Sequence, residues 1–509
     1  MTTAPVTVRS QPARARTDRL VIVTLLVAAF VMILNETIMG VALPRLMSSL
    51  HINASTAQWL TTAFLLTMAV VIPTTGFLLQ RLSTRTVFLG AMTCFCTGTL
   101  LAGVSQGFFL LLLARIIQAC GTAVMLPLLM TTILTLVPIE RRGRVMGNVS
   151  IVISVAPAIG PTLSGLILQY LSWRFMFLLV LPVALLALLF GAWRLTNVGE
   201  GGNQPLDIGS VVLSVPAFGG LVFGLSRIGE AESSTQLAVA IASLAVGVIC
   251  LALFGWRQVS LQKKGFPLLD LRVFRFPMFR LGVALLATTM MGLFGVIILL
   301  PIYLQNVRGL GSLATGLLLL PGGLLMGLLA PSVGKLFDRH GPKVLTTVGA
   351  TLVSLILWRL SAVGPSTSVW MLLSMHIVLS IGLACLFTPA FTTALNPLPP
   401  HLYSHGSATL TTLQQVAGAA GTALLVTILT ARSLSAGASG MSPVAAQNAG
   451  LHSAFLVAAG IGVVAIVVAA FLRSPRPGEQ PSDHEPSDDE LADHEPSGSV
   501  QPAGSEQRA

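Results

Sequence analysis

Fourteen times along the chain, a run of roughly twenty apolar residues gives way to a short polar or basic stretch. The runs cover 20–43, 56–79, 86–104, 108–137, 145–169, 175–193, 208–226, 236–256, 281–305, 313–334, 344–362, 370–394, 406–431 and 452–472. A helix rises about 1.5 Å per residue, so such runs can cross a hydrocarbon layer about 30 Å thick. None alternates polar and apolar residues as a membrane barrel strand does. The pattern predicts an all-α integral membrane protein with 14 transmembrane helices. From Arg473 the pattern stops. The stretch 473–509 is acidic, lacks aromatic residues and repeats "DHEPS", which predicts a disordered tail.

A longer repeat divides the apolar part. "GFLLQRLSTR" begins at Gly76 after the second run, and "GKLFDRHGPK" begins at Gly334 after the tenth. Both place Gly, Leu and Arg at the same spacing and end on a basic residue. Two related halves are therefore expected: six-helix bundles at 20–195 and 281–472, with two further membrane helices inserted in the linker 196–280 and a basic segment, 1–19, in front. Parallel six-helix repeats with a site at their interface are a transporter design.

Composition agrees: hydrophobic residues make up 54% of the chain and charged residues 9%, against about a quarter charged in soluble domains. The net charge of +11 would suit nucleic acid, but its placement has another explanation. With the N-terminus in the cytoplasm, 22 of the 29 Lys and Arg fall on the cytoplasmic side, six outside, and Arg115 alone within the membrane. This is the positive-inside rule. It predicts a multi-pass cell-membrane protein with both termini cytoplasmic and no nucleic-acid partner. Cys94, Cys96, Cys120, Cys250 and Cys385 all lie within apolar runs, as packing residues rather than a disulfide frame or metal site. The first run is long enough to span and lacks a small-residue cleavage site, so it should stay as the first helix. No phosphate-binding Gly-x-x-x-x-Gly-Lys-Ser/Thr loop occurs, so ATP is not the expected energy source, and no cofactor, metal or catalytic nucleophile is expected.

Two charges stand at hydrocarbon depth. Of the 18 acids, eight lie in the N-terminus and loops, nine in the tail, and the last is Glu36, in "ILNETIMGVALP". Ionisation is costly there, which suits a group that must take up and release a proton; the alternative is a protonated packing residue. Arg115 is the only cation at that depth and cannot usefully deprotonate. Both lie about 10–12 Å inside the outer ends of their helices, so a direct or water-mediated contact is expected. A change in their separation would load or unload a proton; the alternative is a packing salt bridge. His376 is a second titratable candidate, or a hydrogen-bonded packing residue. Asn35, Gln118, Gln414 and Gln415 are candidates to meet polar substrate atoms in a central cavity.

In these motifs, and in their order, the chain resembles the major facilitator superfamily, and specifically its fourteen-span drug:proton antiporters, over about residues 20–472. "GKLFDRHGPK" matches the superfamily's gating loop, including Asp338 and Arg339. In the first copy, with Gly76, Arg81 and Arg85, Gln80 stands where an Asp is usual and Ser83 where a Gly is. "LLLARIIQACG" resembles the fourth-span pattern built around a buried Arg, here Arg115, and Asn35 stands where the family's first span usually has Asp. "APAIGPTLSG", with Pro157, Gly160, Pro161 and Gly165, resembles the fifth-span antiporter motif; it is expected to form a bent seam between the halves, with both glycines in close helix contact. The resemblance implies that Asp338 and Arg339 pair across the cytoplasmic helix ends, latching them, with a weaker latch at Gln80.

The expected function is export of lipophilic, cationic or neutral drug-like molecules in exchange for protons, by a monomeric carrier in the lipid bilayer. Export of an endogenous metabolite or lipid, or proton-coupled uptake, are alternatives of the same class. A channel or receptor is the alternative of a different class, and it would need no duplicated gating loop.

Overall fold

The computed structural model describes residues 11–52, 54–195, 197, 207–228 and 233–473. Residues 1–10 of the basic N-terminal segment and the acidic tail beyond Arg473 lie outside them. The described residues form α1 (Gln11–Leu50), α2 (Ala54–Arg81), α3 (Thr84–Val104), α4 (Phe108–Leu136), α5 (Arg142–Tyr170), α6 (Phe175–Leu178), α7 (Val180–Arg194), α8 (Ile208–Ser214), α9 (Gly220–Ile228), α10 (Ser234–Gln262), α11 (Pro277–Ile302), α12 (Ser312–His340), α13 (Pro342–Leu360), α14 (Val369–Leu395), α15 (Tyr403–Ala438) and α16 (Pro443–Ala470). Helices α6 and α7 make one span, as do α8 and α9, which a π-helical turn at Val215–Gly219 joins. The count of helices long and apolar enough to cross a membrane is 14, and no strand occurs among the described residues.

Several helices run past their expected ends. Helix α1 continues through Pro44 to Leu50. The expected loop between 431 and 452 shrinks to a turn, because α15 reaches Ala438 and α16 starts at Pro443. That segment is rich in Ala, a strong helix former, and Ser442 caps α16 by accepting from the Ala445 N–H. Gly440 takes φ +90° and makes the reversal. Between α12 and α13 a single residue turns the chain: Gly341, at φ +74°, ahead of Pro342. In the first copy of that loop Ser83 keeps an extended backbone and caps α3 with its side chain.

Successive helices alternate in direction, so the turns after α2, α4, α7, α10, α12 and α14 gather at one end. We call this the basic end, because it carries Arg81, Arg141, Arg142, Arg144, Lys335 and Arg339. Helix α5 packs along α12, and α2 along α15, so each seam joins the first six spans to the last six.

The inserted helices sit against the second seam. Phe218, Val222 and Phe254 pack on Ala69 and Phe77 of α2 and on Ala408 of α15. At their basic end, Asp207 caps α8 and accepts from Arg257 Nε and Nη2, both at 2.8 Å. Gln258 links Ser210 to the Leu269 N–H. The Arg257 fork holds the Asp207 carboxyl well below the usual carboxylate range. A cavity of about 710 Å³ with almost wholly apolar walls lies between α2 and this pair, lined by Leu66, Val70, Pro216, Phe223 and Ala242 among others.

Candidate functional site

Arg115 is fully buried and draws four helices together. Its Nη1 donates to Asn35 Oδ1 of α1 at 3.3 Å and to Gln118 Oε1, one turn along α4, at 3.0 Å. Gln118 Nε2 in turn donates to Thr99 Oγ1 of α3 at 2.9 Å. From α2, the Phe64 ring faces the guanidinium, 4.0 Å from ring centroid to guanidinium carbon. A planar cation can meet an amide in its plane and an aromatic ring on its face at once. The Nε and Nη2 donors have no hydrogen-bond partner among the described residues.

No direct hydrogen bond or ion pair joins Arg115 to Glu36 among the described residues. The side chain that reaches Arg115 belongs to Asn35, one residue earlier, because a step of one residue turns a helix by about 100°. Glu36 is half-buried and has neither an ion pair nor a hydrogen bond among the described residues, although the two charges lie close enough for electrostatic attraction. Asn35 and Gln118, expected at a cavity wall, are enclosed in the Arg115 network at 2% and 0% exposure.

Helix α5 connects this network to the seam between the halves. A Cβ on Gly160 would fall on Thr37, the neighbour of Glu36, so α5 and α1 touch there backbone to side chain. One turn of α5 also carries Ala158, which packs on Gly323 of α12. The helix runs unbroken past Pro157 and Pro161. Gly165 departs from expectation: no atom of the described residues lies within 4 Å of where its Cβ would be, so it makes no close contact among them.

The gating loops are closed. Asp338 of α12 accepts from the Gly143 and Arg144 backbone N–H groups, both at 3.0 Å. A carboxylate from one half thus caps the first turn of α5 in the other, where a helix favours an anion. This corrects the expected side-chain latch: Arg339 makes no ion pair or hydrogen bond among the described residues. Gly334 permits the approach, since its Cβ would land on the Gly143 carbonyl. In the first copy, Gln80 Nε2 donates to the His401 carbonyl at 2.8 Å, a single neutral bond. Arg81 lies over Phe77, and Arg85 bonds the Ala192 carbonyl within its own half. Arg142 crosses between the halves to the Tyr403 hydroxyl at 3.0 Å and to Asn396 at 3.4 Å. Ser150–Thr388 and Thr131–Ser407 add further links. Among the described residues, every hydrogen bond between the halves lies in the basic half of the bundle.

The remaining candidates are dispersed. His376 Nε2 bonds the Leu319 carbonyl at 3.0 Å, which ties α14 to α12 inside the second half. Gln414 is buried with its Nε2 unpartnered among the described residues, and Gln415 is half-buried beside it on α15. No cluster of His, Cys, Asp and Glu able to hold a metal occurs among the described residues. His405, which the sequence did not single out, lies 2% exposed on α15 against Gly76.

Two six-span halves meeting along α2–α15 and α5–α12 and bonded at one end are the architecture of a membrane transporter. The chain belongs to the Major Facilitator Superfamily, whose profile matches residues 25–422. It is 41% identical over 458 residues to the lincomycin resistance protein LmrB of Listeria monocytogenes, covering 89% of this chain and 96% of that one. It is 40% identical to the LmrB of Bacillus subtilis, covering 89% and 95%. The human organic anion transporter MFSD10 (TETRAN) shares the fold with a TM-score of 0.62 at 16% identity, covering 89% of this chain and 99% of that one.

Proposed function

We propose that this transporter exports lipophilic drug-like molecules, lincomycin first among the candidates, in exchange for protons, with its basic end in the cytoplasm of a cell. The substrate follows from the relatives named for lincomycin resistance at 40–41% identity over nearly the whole chain. The coupling rests on one observation: Glu36, a carboxylate within the first span, has no bonded partner among the described residues and stands beside a buried arginine that other side chains hold in place. Ionised Glu36 attracts a basic amine drug from the cytoplasmic side; a proton arriving from outside neutralises it and releases the drug. The charge distribution supports the orientation, and the closed basic end then corresponds to an outward-facing conformation.

Glu36→Gln tests this reading, because it copies the protonated form in size. The variant should insert normally and still carry substrate down its gradient. It should lose uphill export in energised vesicles, and substrate-induced proton release from the purified protein should disappear. Proton release that persists in Glu36→Gln places the coupling group elsewhere, with His376 next to test.

A further inference from the structure

Behind Gln80 the α2–α15 seam holds a second enclosed titratable group. Gly76 of α2 and His405 of α15 face one another, and one helical turn further toward the basic end Gln80 bonds the His401 carbonyl. The two contacts are successive rungs on antiparallel segments, four residues apart on each, with His401 on the turn that opens α15. A Cβ at Gly76 would stand 2.9 Å from His405 Nδ1, so the imidazole fits only because α2 offers bare backbone there. That Nδ1 has no hydrogen-bond partner among the described residues.

The charged and titratable groups around it are few. Asp270 and Arg272 lie on the segment between α10 and α11, and His401 on the turn that opens α15. Asp270 is itself 2% exposed and committed to Arg272, whose Nε and Nη2 donate to it at 2.7–3.1 Å and whose backbone N–H it caps. Burial pushes its carboxyl up, but these bonds outweigh it and hold the group below its usual range, an ion pair rather than a free counter-ion. Helix α2 contributes Gly76, and α4 contributes Pro127 and Thr131 to the neighbouring Ser407. An imidazolium enclosed here would have little water and no uncommitted anion.

We propose that His405 is a second proton-binding site of this transporter, and that a proton on it holds the α2–α15 seam apart. Separation of the seam admits water, and a hydrated imidazole binds a proton near pH 6.5. The closed seam takes the neutral ring. Closing the basic end therefore returns one proton to the water on that side, a step independent of Glu36.

The test is the distance across the basic end as pH changes. Spin labels at Thr86→Cys on α3 and Val344→Cys on α13, both exposed and in opposite halves, report it in nanodiscs. All measurements are made in a Glu36→Gln background, so the outcome stands apart from the fate of the coupling proposal. Between pH 8 and pH 5 the ratio of separated to closed molecules should rise, by up to about tenfold per pH unit where one proton is taken up per opening. His405→Gln should abolish the rise, and His401→Gln, which keeps the backbone carbonyl, should retain it. A distance insensitive to pH with His405 in place overturns the proposal whether or not His405→Gln folds. So does a response that survives in a folded His405→Gln protein.

Discussion

Arg115 shows how one side chain can be legible in type and illegible in partner. That a lone guanidinium at hydrocarbon depth must be enclosed by donors' partners and aromatic faces follows from its charge alone. That Asn35 rather than Glu36 reaches it depends on the rotation of α1 about its own axis. The contact set makes a specific demand on chemistry. Lys at this position keeps the charge but cannot bond Asn35 and Gln118 in one plane while lying flat on Phe64. Arg115→Lys loses interactions worth about 1–3 kcal/mol, so transport in proteoliposomes at matched protein levels should fall roughly tenfold or more. Near-normal transport would reduce Arg115 to packing.

At the scale of elements, the two copies of the gating loop differ in strength in a way their sequences partly announce. Asp338 accepts two bonds from a helix N-terminus, and Gln80 donates one to a carbonyl. Charge-assisted bonds are roughly twice as strong as neutral ones. Asp338→Asn should therefore shift the closed basic end toward opening by about tenfold, and Gln80→Ala by only a few-fold, read as label distances across that end. Equal effects would refute the asymmetry. The inserted helices carry their own pH dependence. Asp207 is held below its unfolded value by Arg257, so its contribution is present above about pH 4 and is lost as pH falls through the folded value. Hydrogen exchange at the start of α8 should accelerate on acidification below about pH 4 before exchange in α4 does, and Asp207→Asn should remove that difference.

Across the whole molecule, topology and conformation make one prediction together. The turn between α15 and α16 lies at the opposite end from the turn between α2 and α3. With the basic end in the cytoplasm, a membrane-impermeant thiol reagent applied to intact cells should label Ser439→Cys and spare Ser83→Cys. The reverse pattern would invert the orientation and with it the direction assigned to transport. The placement of the inserted helices against α2 and α15 also means that any rocking of the halves must slide past Phe218 and Phe254.

The number of spans, the pairing of related halves and the identity of the deep charges were all determined by the sequence. Transfer of a residue into hydrocarbon is a local property, summed over a window, and it needs no knowledge of neighbours. The resemblance of Gly76–Arg85 to Gly334–Lys343 was equally local. Only the tertiary structure decided that Asn35 meets Arg115, that Asp338 caps α5 instead of finding Arg339, that Gly165 stands free, that Arg142 bridges the halves and that His405 lies behind Gln80. Each of these turns on the rotation and register of one helix against another. Inside a membrane every face of a helix can be apolar, so hydropathy does not mark which face turns inward, and small residues and a few polar bonds make that choice.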